Sequence, residues 1–149
     1  MASDSCKTRL QNLLAMLRAT QIVHHTAHWQ TSGPTFAGDH VLFADLYGAI
    51  DDEFDTLAEK IVAMYGGEAV DSVDQLTRIT TVVKRAKEAE SDLFKRSLVL
   101  EEGLQTVLEA VRDYLRKEHE LSMGLDNFLQ GIADSHETAV YKLKQRTAK

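Results

Sequence analysis

Apolar residues recur at helical spacing through most of the chain. Near the N-terminus the repeat is rich in leucine and predicts a helix from about Ser5 to Thr31. Gly33-Pro34 ends this helix, because proline cannot continue it. A second repeat predicts a helix from about Gly38 to Tyr65, closed by Gly66-Gly67. Its apolar positions are Leu42, Leu46, Ile50, Phe54, Leu57, Ile61 and Met64.

The second half of the chain continues the helical pattern. A third helix is expected from about Thr81 to His119, with a break near Ser91 or Gly103 left open, and a fourth from about Ser122 to Lys144. The segment DSVDQL predicts a short helix in the connection between helices 2 and 3, capped by Asp71 or Ser72. No strand pattern competes. We therefore expect an all-α, four-helix bundle, with residues 1–149 forming a single domain.

Composition and charge narrow the classes of function. The net charge of −6 argues against a surface that generally coats nucleic acid. The C-terminal KLKQRTAK is more simply a solvated helix end than a DNA-touching tail. No apolar run reaches the length of a membrane span, and the N-terminus lacks the apolar core of a signal peptide. Cys6 is the only cysteine, so we expect a cytoplasmic protein.

Histidines carry the candidate chemistry. Four of the six lie in the segment HHTAHWQTSGPTFAGDH, around the only tryptophan and the only proline. Helical bundles can hold an intrasubunit di-iron site built from Glu-x-x-His pairs. None of the six histidines here has an acidic residue three positions earlier. The sequence therefore gives no support for that intrasubunit site.

A different metal-ligand set remains on the first two helices: His28, His40, Asp55 and Glu59. Asp55 and Glu59 share a helix face, but His40 lies roughly 22 Å from Asp55 along a continuous helix. Two antiparallel copies of the second helix, crossing near Gly48-Ala49, would bring His40 of one chain to both acids of the other. The spacing therefore predicts metal between two chains.

Each of these residues also has an ordinary structural interpretation. An interior histidine is more often a hydrogen-bonded core residue than a ligand, and Asp55 and Glu59 would suit a solvated helix face. Trp29 is most simply a core or interface anchor. Spacing alone leaves these alternatives open.

Three segments then resemble one family. HWQTSGPTF, DHVLFADLY and DEFDTLAEKI are similar to the Dps family, the ferritin-like mini-ferritins of bacteria and archaea, most strongly from Gln21 to Gly67. LDNFLQGIADSHETAVYKL resembles the closing segment of the family more weakly. The resemblance implies a ferritin-like fold and an intersubunit ferroxidase site with His28 and His40 from one chain and Asp55 and Glu59 from the other. It also implies a hollow dodecamer that oxidises Fe(II), preferentially with hydrogen peroxide, stores ferric mineral and protects against oxidative stress.

One position departs from the family pattern. An acidic residue usually follows the second histidine by four positions, and here that position is Ala44. His25 is our preferred compensating ligand; the other candidates are His24, Asp45 and His136. A more histidine-rich site could favour zinc over iron. This leaves a non-catalytic metal-binding cage, or a DNA-compacting one, as the alternative. DNA binding itself is expected to be weak or absent, because MASDSCK supplies only one lysine.

Overall fold

The computed structural model is helical over most of residues 2–149, the part of the chain that it describes. Six α-helices and one short 3₁₀ helix at Gly67–Ala69 occupy these residues. The α-helices are α1 (Ala2–Gln30), α2 (Phe36–Gly48), α3 (Asp51–Tyr65), α4 (Ser72–Ala89), α5 (Leu93–Lys117) and α6 (Met123–Thr147). The predicted all-α class is confirmed.

Four rods form the bundle: α1, the pair α2–α3, α5 and α6. Each rod contributes buried leucines or isoleucines to one main core, where their apolar side chains are removed from water. Helix α4 lies outside this bundle, where Ile79 packs against Ala15 and Ala19 of α1. The fully buried residues of the main core include Leu10, Leu13, Leu17, Ile50, Leu57, Ile61, Leu104 and Leu115.

The second predicted helix is interrupted, which differs from the continuous helix expected between Gly38 and Tyr65. Helix α2 ends at Gly48 and α3 begins at Asp51. Ala49 and Ile50 keep right-handed helical torsion angles, and the Ile50 amide donates to the Tyr47 carbonyl, three residues back. The interruption is therefore one tightened turn within a rod that otherwise remains helical.

The connection to α5 also differs from the prediction. The helix predicted at DSVDQL is present, but it is longer than expected: it begins α4, which continues for 18 residues to Ala89. Asp71 caps α4 by accepting a hydrogen bond from the Asp74 amide. The break falls near Ser91, one of the two positions left open, whereas Gly103 lies inside α5.

Side-chain caps also begin α5 and α6. Asp92 accepts from the Lys95 amide and Ser122 accepts from the Leu125 amide, each at the start of a helix. After α5, His119 takes a positive φ of 58°, in the left-handed position more often filled by glycine. This is why α5 stops without a glycine signal in the sequence.

The C-terminal helix is tied to the start of α2. Arg146 forms an ion pair with the buried Asp39, at 2.7 Å, and its guanidinium stacks over the Phe94 ring. The Arg146 guanidinium hydrogen bonds keep the pKa of Asp39 below its usual value. One cation of the basic C-terminal segment is therefore engaged within the fold. Along residues 2–149, none of the helices combines the length and apolarity that crossing a membrane demands.

Candidate metal centre

His28 and His40 lie against each other near the end of α1 and the start of α2, and we call them the outer pair. Their rings stack with centroids 3.5 Å apart and planes 18° apart. Each Nδ1 lies 2.7 Å from the main-chain carbonyl oxygen of the other residue. A carbonyl oxygen only accepts, so both Nδ1 atoms are protonated.

This reciprocal bonding fixes which ring nitrogen can bind a metal. With Nδ1 protonated, the Nε2 of a neutral imidazole carries the free lone pair, which is the form that ligates metals. A hydrogen bond to a backbone carbonyl also holds the orientation of a metal-binding histidine. The outer pair is therefore chemically prepared to ligate, and both rings are only half-buried.

Aromatic side chains surround the outer pair. The His25 ring stacks on Tyr47 at 4.0 Å and lies 4.1 Å from the Trp29 ring, while the His25 and His28 centroids are 6.1 Å apart. Trp29 is 65% exposed and Val41 is 58% exposed. Trp29 is thus not a core anchor in this chain, and the surface beside the outer pair is apolar.

The predicted acidic ligands lie elsewhere on the chain. Asp55 and Glu59 are both exposed on α3. Among the described residues, no three histidine, cysteine, aspartate or glutamate side chains come together in a way that could hold a metal ion. One chain therefore does not unite the outer pair with these two carboxylates. Their union across two chains is a prediction that the single chain does not test.

A second group of titratable residues lies inside the bundle, and we call it the inner quartet: His24, Glu53, Glu101 and His136. Each member comes from a different rod. The two carboxylate oxygens of Glu101 contact His24 Nε2 at 2.7 Å and His136 Nδ1 at 2.5 Å. His136 Nε2 reaches Glu53 at 2.6 Å, and His24 Nδ1 bonds the Ser97 hydroxyl at 2.9 Å.

Mutual charge and hydrogen bonding hold the quartet together. Burial by itself disfavours the charged form of His136, but its hydrogen bonds to Glu101 and Glu53 raise the pKa to about 9. Burial likewise opposes ionisation of Glu101, yet hydrogen bonds from His136 and His24 keep its pKa below the usual value. A charged His136 beside an ionised Glu101 is therefore the stable state near neutral pH.

The inner quartet corrects two expectations about the histidines. His24 is a hydrogen-bonded core residue and not a free ligand, because it is fully buried with both ring nitrogens bonded. Both nitrogens of His136 are bonded as well, so neither ring compensates for Ala44 as the structure stands. The sequence did carry a signal: Glu101 falls one position after Leu100 and three before Leu104, on the apolar face of α5.

Asp45 is also directed to a different part of the molecule. It lines a cavity of about 200 Å³ whose wall includes the buried Glu101 and His136, with Lys142 of α6 at the same cavity. Ala44 is half-buried beside it. Among the suggested compensating residues, His25 is the one whose ring packs beside the outer pair.

Comparison with known proteins fits this arrangement of helices. A family model described as a ferritin-like domain matches residues 7–149. The chain belongs to the ferritin-like family. A DNA protection during starvation protein from Brevibacillus brevis is 28% identical over 141 residues, covering 89% of this chain and 85% of that protein. These matches and the structural neighbours identify a Dps-type member of the family.

Two solved structures illustrate the likeness of fold. The Dps protein from Thermosynechococcus elongatus superposes with a TM-score of 0.83 at 20% identity, covering 99% of this chain and 93% of that one. A Dps protein from Vibrio cholerae, described as a member of a broad superfamily of ferritin-like diiron-carboxylate proteins, gives 0.79 at 18% identity, covering 97% and 89%. Membership of this Dps-type family supports iron storage and a ferroxidase type of function in general terms.

Proposed function

We propose that this protein is a mini-ferritin that oxidises Fe(II) between two-fold-related chains and stores the ferric product in a hollow cage. Hydrogen peroxide is the preferred oxidant and a dodecamer the expected assembly. The observation that carries the proposal is the reciprocal hydrogen bonding of the outer pair, which leaves both Nε2 atoms able to bind Fe(II). By consuming Fe(II) and peroxide together, the protein would protect against oxidative stress in the cytoplasm.

Each site would combine His28 and His40 of one chain with Asp55 and Glu59 of the other. Carboxylates and imidazoles suit iron, and the exposed positions of both acids leave them available to a second chain. Gly48 lies near the expected crossing point, and a Cβ atom built there would meet no atom within 4 Å. The apolar surface around Trp29 and Val41 suits burial in such an interface.

The electrons balance when two Fe(II) ions reduce one molecule of hydrogen peroxide. Each Fe(II) gives up one electron, hydrogen peroxide takes up two, and its O–O bond breaks to give two hydroxide equivalents. Two irons held close together avoid the one-electron cleavage that releases hydroxyl radical. Within the chain, the outer pair would hold iron through Nε2, while each Nδ1–H donates to a backbone carbonyl and keeps its ring oriented.

Ala44 favours a second candidate, a cage that binds zinc or iron without fast turnover. A usual carboxylate is missing at this position, and His25 is the nearest extra donor, stacked between Tyr47 and Trp29. A histidine-rich site is softer and suits zinc. DNA compaction is the weaker form of this alternative, because Arg146 of the basic C-terminus is already paired with Asp39.

The decisive experiment mixes two inactive variants. His28→Ala and Asp55→Asn should each lose peroxide-driven Fe(II) oxidation in stopped-flow absorbance. Dissociated and reassembled together, they should recover about a quarter of the wild-type rate, because about half of the pairs are mixed and each mixed pair holds one intact site. A site within one chain would give no recovery.

Other outcomes separate the alternatives. Wild-type oxidation no faster than that of Fe(II) in buffer, with zinc bound tightly to the same protein, would establish the non-catalytic cage. A DNA complex that persists at moderate salt would contradict the expectation of weak or absent DNA binding. Comparing oxygen with peroxide in the same experiment tests the oxidant preference.

A further inference from the structure

A large cleft lies between α1, α4 and α5, and no member of the outer pair or the inner quartet lines it. Its volume is about 620 Å³, against about 200 Å³ for the cavity beside His136. Small residues leave this space open: Ala15 on the floor, Ala86 and Ala89 on α4, and Gly103 on α5. Clefts of this size are typical of small-molecule sites.

The cleft combines an apolar lining with positive charge only. Its lining is predominantly apolar, and the charged members of that lining are Arg78 and Arg85. Arg78 is neutralised by Asp74 at 2.8 Å. Arg85 is exposed and has no ion pair or hydrogen bond among the described residues. A chain of net charge −6 thus presents an unpaired cation at the edge of an apolar cleft.

We propose that this cleft binds an amphipathic carboxylate with a single alkyl chain. The alkyl chain would lie along the floor formed by Ala15 and Met16, where it displaces water from apolar surface. The carboxylate would pair with the Arg85 guanidinium, whose planar donors match two carboxylate oxygens. This charge complementarity selects an anionic head group over a neutral or cationic one.

The head-group prediction is tested by isothermal titration of the assembled protein with laurate below its micelle concentration. We expect saturable binding with one laurate per chain, and weaker binding of dodecanol and of dodecyltrimethylammonium. Arg85→Glu should weaken laurate binding by about fivefold or more. Lys84→Glu is the matched control, because Lys84 is exposed on the same helix and does not line the cleft, and it should change affinity by less than about twofold.

The location is tested by filling the cleft. A side chain at Gly103 would extend towards Met16, whose Cε lies 3.3 Å from an ideal Cβ at that glycine. Gly103→Leu should abolish laurate binding, whereas Gly131→Leu, a matched glycine on the open surface of α6, should leave it intact.

Three results would overturn the proposal. The first is the absence of saturable laurate binding, and the second is equal binding by Arg85→Glu and Lys84→Glu. The third is loss of assembly in Gly103→Leu alone, seen by light scattering, which would show that another copy of the chain fills the cleft. The Fe(II) oxidation rate is expected to be unchanged in all four variants, so this test is independent of the proposed ferroxidase.

Discussion

His24 and His28 lie one helical turn apart on α1, yet they belong to groups with opposite chemistry. His24 points into the bundle and belongs to the inner quartet. Both ring nitrogens of His24 and of His136 are hydrogen-bonded there, to glutamate carboxylates and, for His24 Nδ1, to the Ser97 hydroxyl. His28 lies at the surface, where the outer pair bonds one nitrogen of each ring to a carbonyl. Both groups use histidine, so the hydrogen-bond partner of the ring is what distinguishes them: a carboxylate in the inner quartet and a backbone carbonyl in the outer pair.

The difference follows from what each partner does to the ring. A carboxylate stabilises imidazolium, so the pKa of His136 is raised and the ring is a cation that links helices near neutral pH. A backbone carbonyl is neutral, so it orients the ring without demanding that the second nitrogen be protonated. One motif thus contributes both a structural histidine and candidate ligands.

The strongest test of this comparison removes the centre of the inner quartet. Glu101→Ala leaves two buried histidines without their shared partner, so we expect a loss of about 3–5 kcal/mol in the free energy of unfolding. Urea denaturation at fixed protein concentration measures it. Glu102→Ala, the exposed neighbour on α5, should cost less than about 0.5 kcal/mol. Equal losses would show that the quartet does not stabilise the bundle.

The pH dependence of stability tests the charge assigned to His136. Its pKa is about 9 in the folded protein against an ordinary value of 6.5. The stabilisation is therefore complete below pH 6.5 and is lost as the pH rises through about 9, by up to about 3 kcal/mol. The midpoint of urea denaturation should therefore decrease as the pH is raised from 6 to 10. His136→Gln should make the midpoint less dependent on pH. A midpoint that rises with pH would contradict the assignment.

Adding a carboxylate beside the outer pair tests whether this pair binds metal. Ala44→Asp supplies a carboxylate at the position where the family usually has one, and a charge-assisted contact of about 1.5 kcal/mol corresponds to roughly tenfold tighter metal binding. Competition between zinc and a chelating dye measures the change. Asp45→Asn is the control and should have little effect, because Asp45 lines the cavity at α6. Unchanged affinity in Ala44→Asp would place the metal elsewhere.

The smallest effect is expected at His25. Its ring contributes stacking against Tyr47 and Trp29, so His25→Ala should cost about 1 kcal/mol or less in the free energy of unfolding. If His25 replaces the missing carboxylate, zinc affinity should also fall, whereas His25→Phe should restore stability but not affinity. Zinc binding that is the same in all three proteins would make His25 an aromatic spacer.

Most of the fold could be predicted from the sequence, because helix periodicity and stop signals are local. The Gly33-Pro34 stop, the Asp71 cap and the leucine repeat of α1 all lie where the pattern indicated. The tightened turn at Ala49–Ile50 was missed, since neither residue breaks a helix by itself. Helix α5 ends at Lys117, two residues before the predicted end at about His119. His119 takes the left-handed conformation that follows the helix, where a glycine would have given a sequence signal.

For the candidate site too, some features could be predicted from the sequence and others depended on the tertiary structure. The sequence by itself determined which residues have metal-binding chemistry, and the length of a helix showed that His40 and Asp55 cannot meet in one chain. Only the tertiary structure decided which histidines remain free to ligate. Residues such as His24 and Glu101 are far apart in sequence, and their pairing depends on which faces of α1 and α5 meet in the core. That choice is made by packing all four rods together, so local pattern could not supply it.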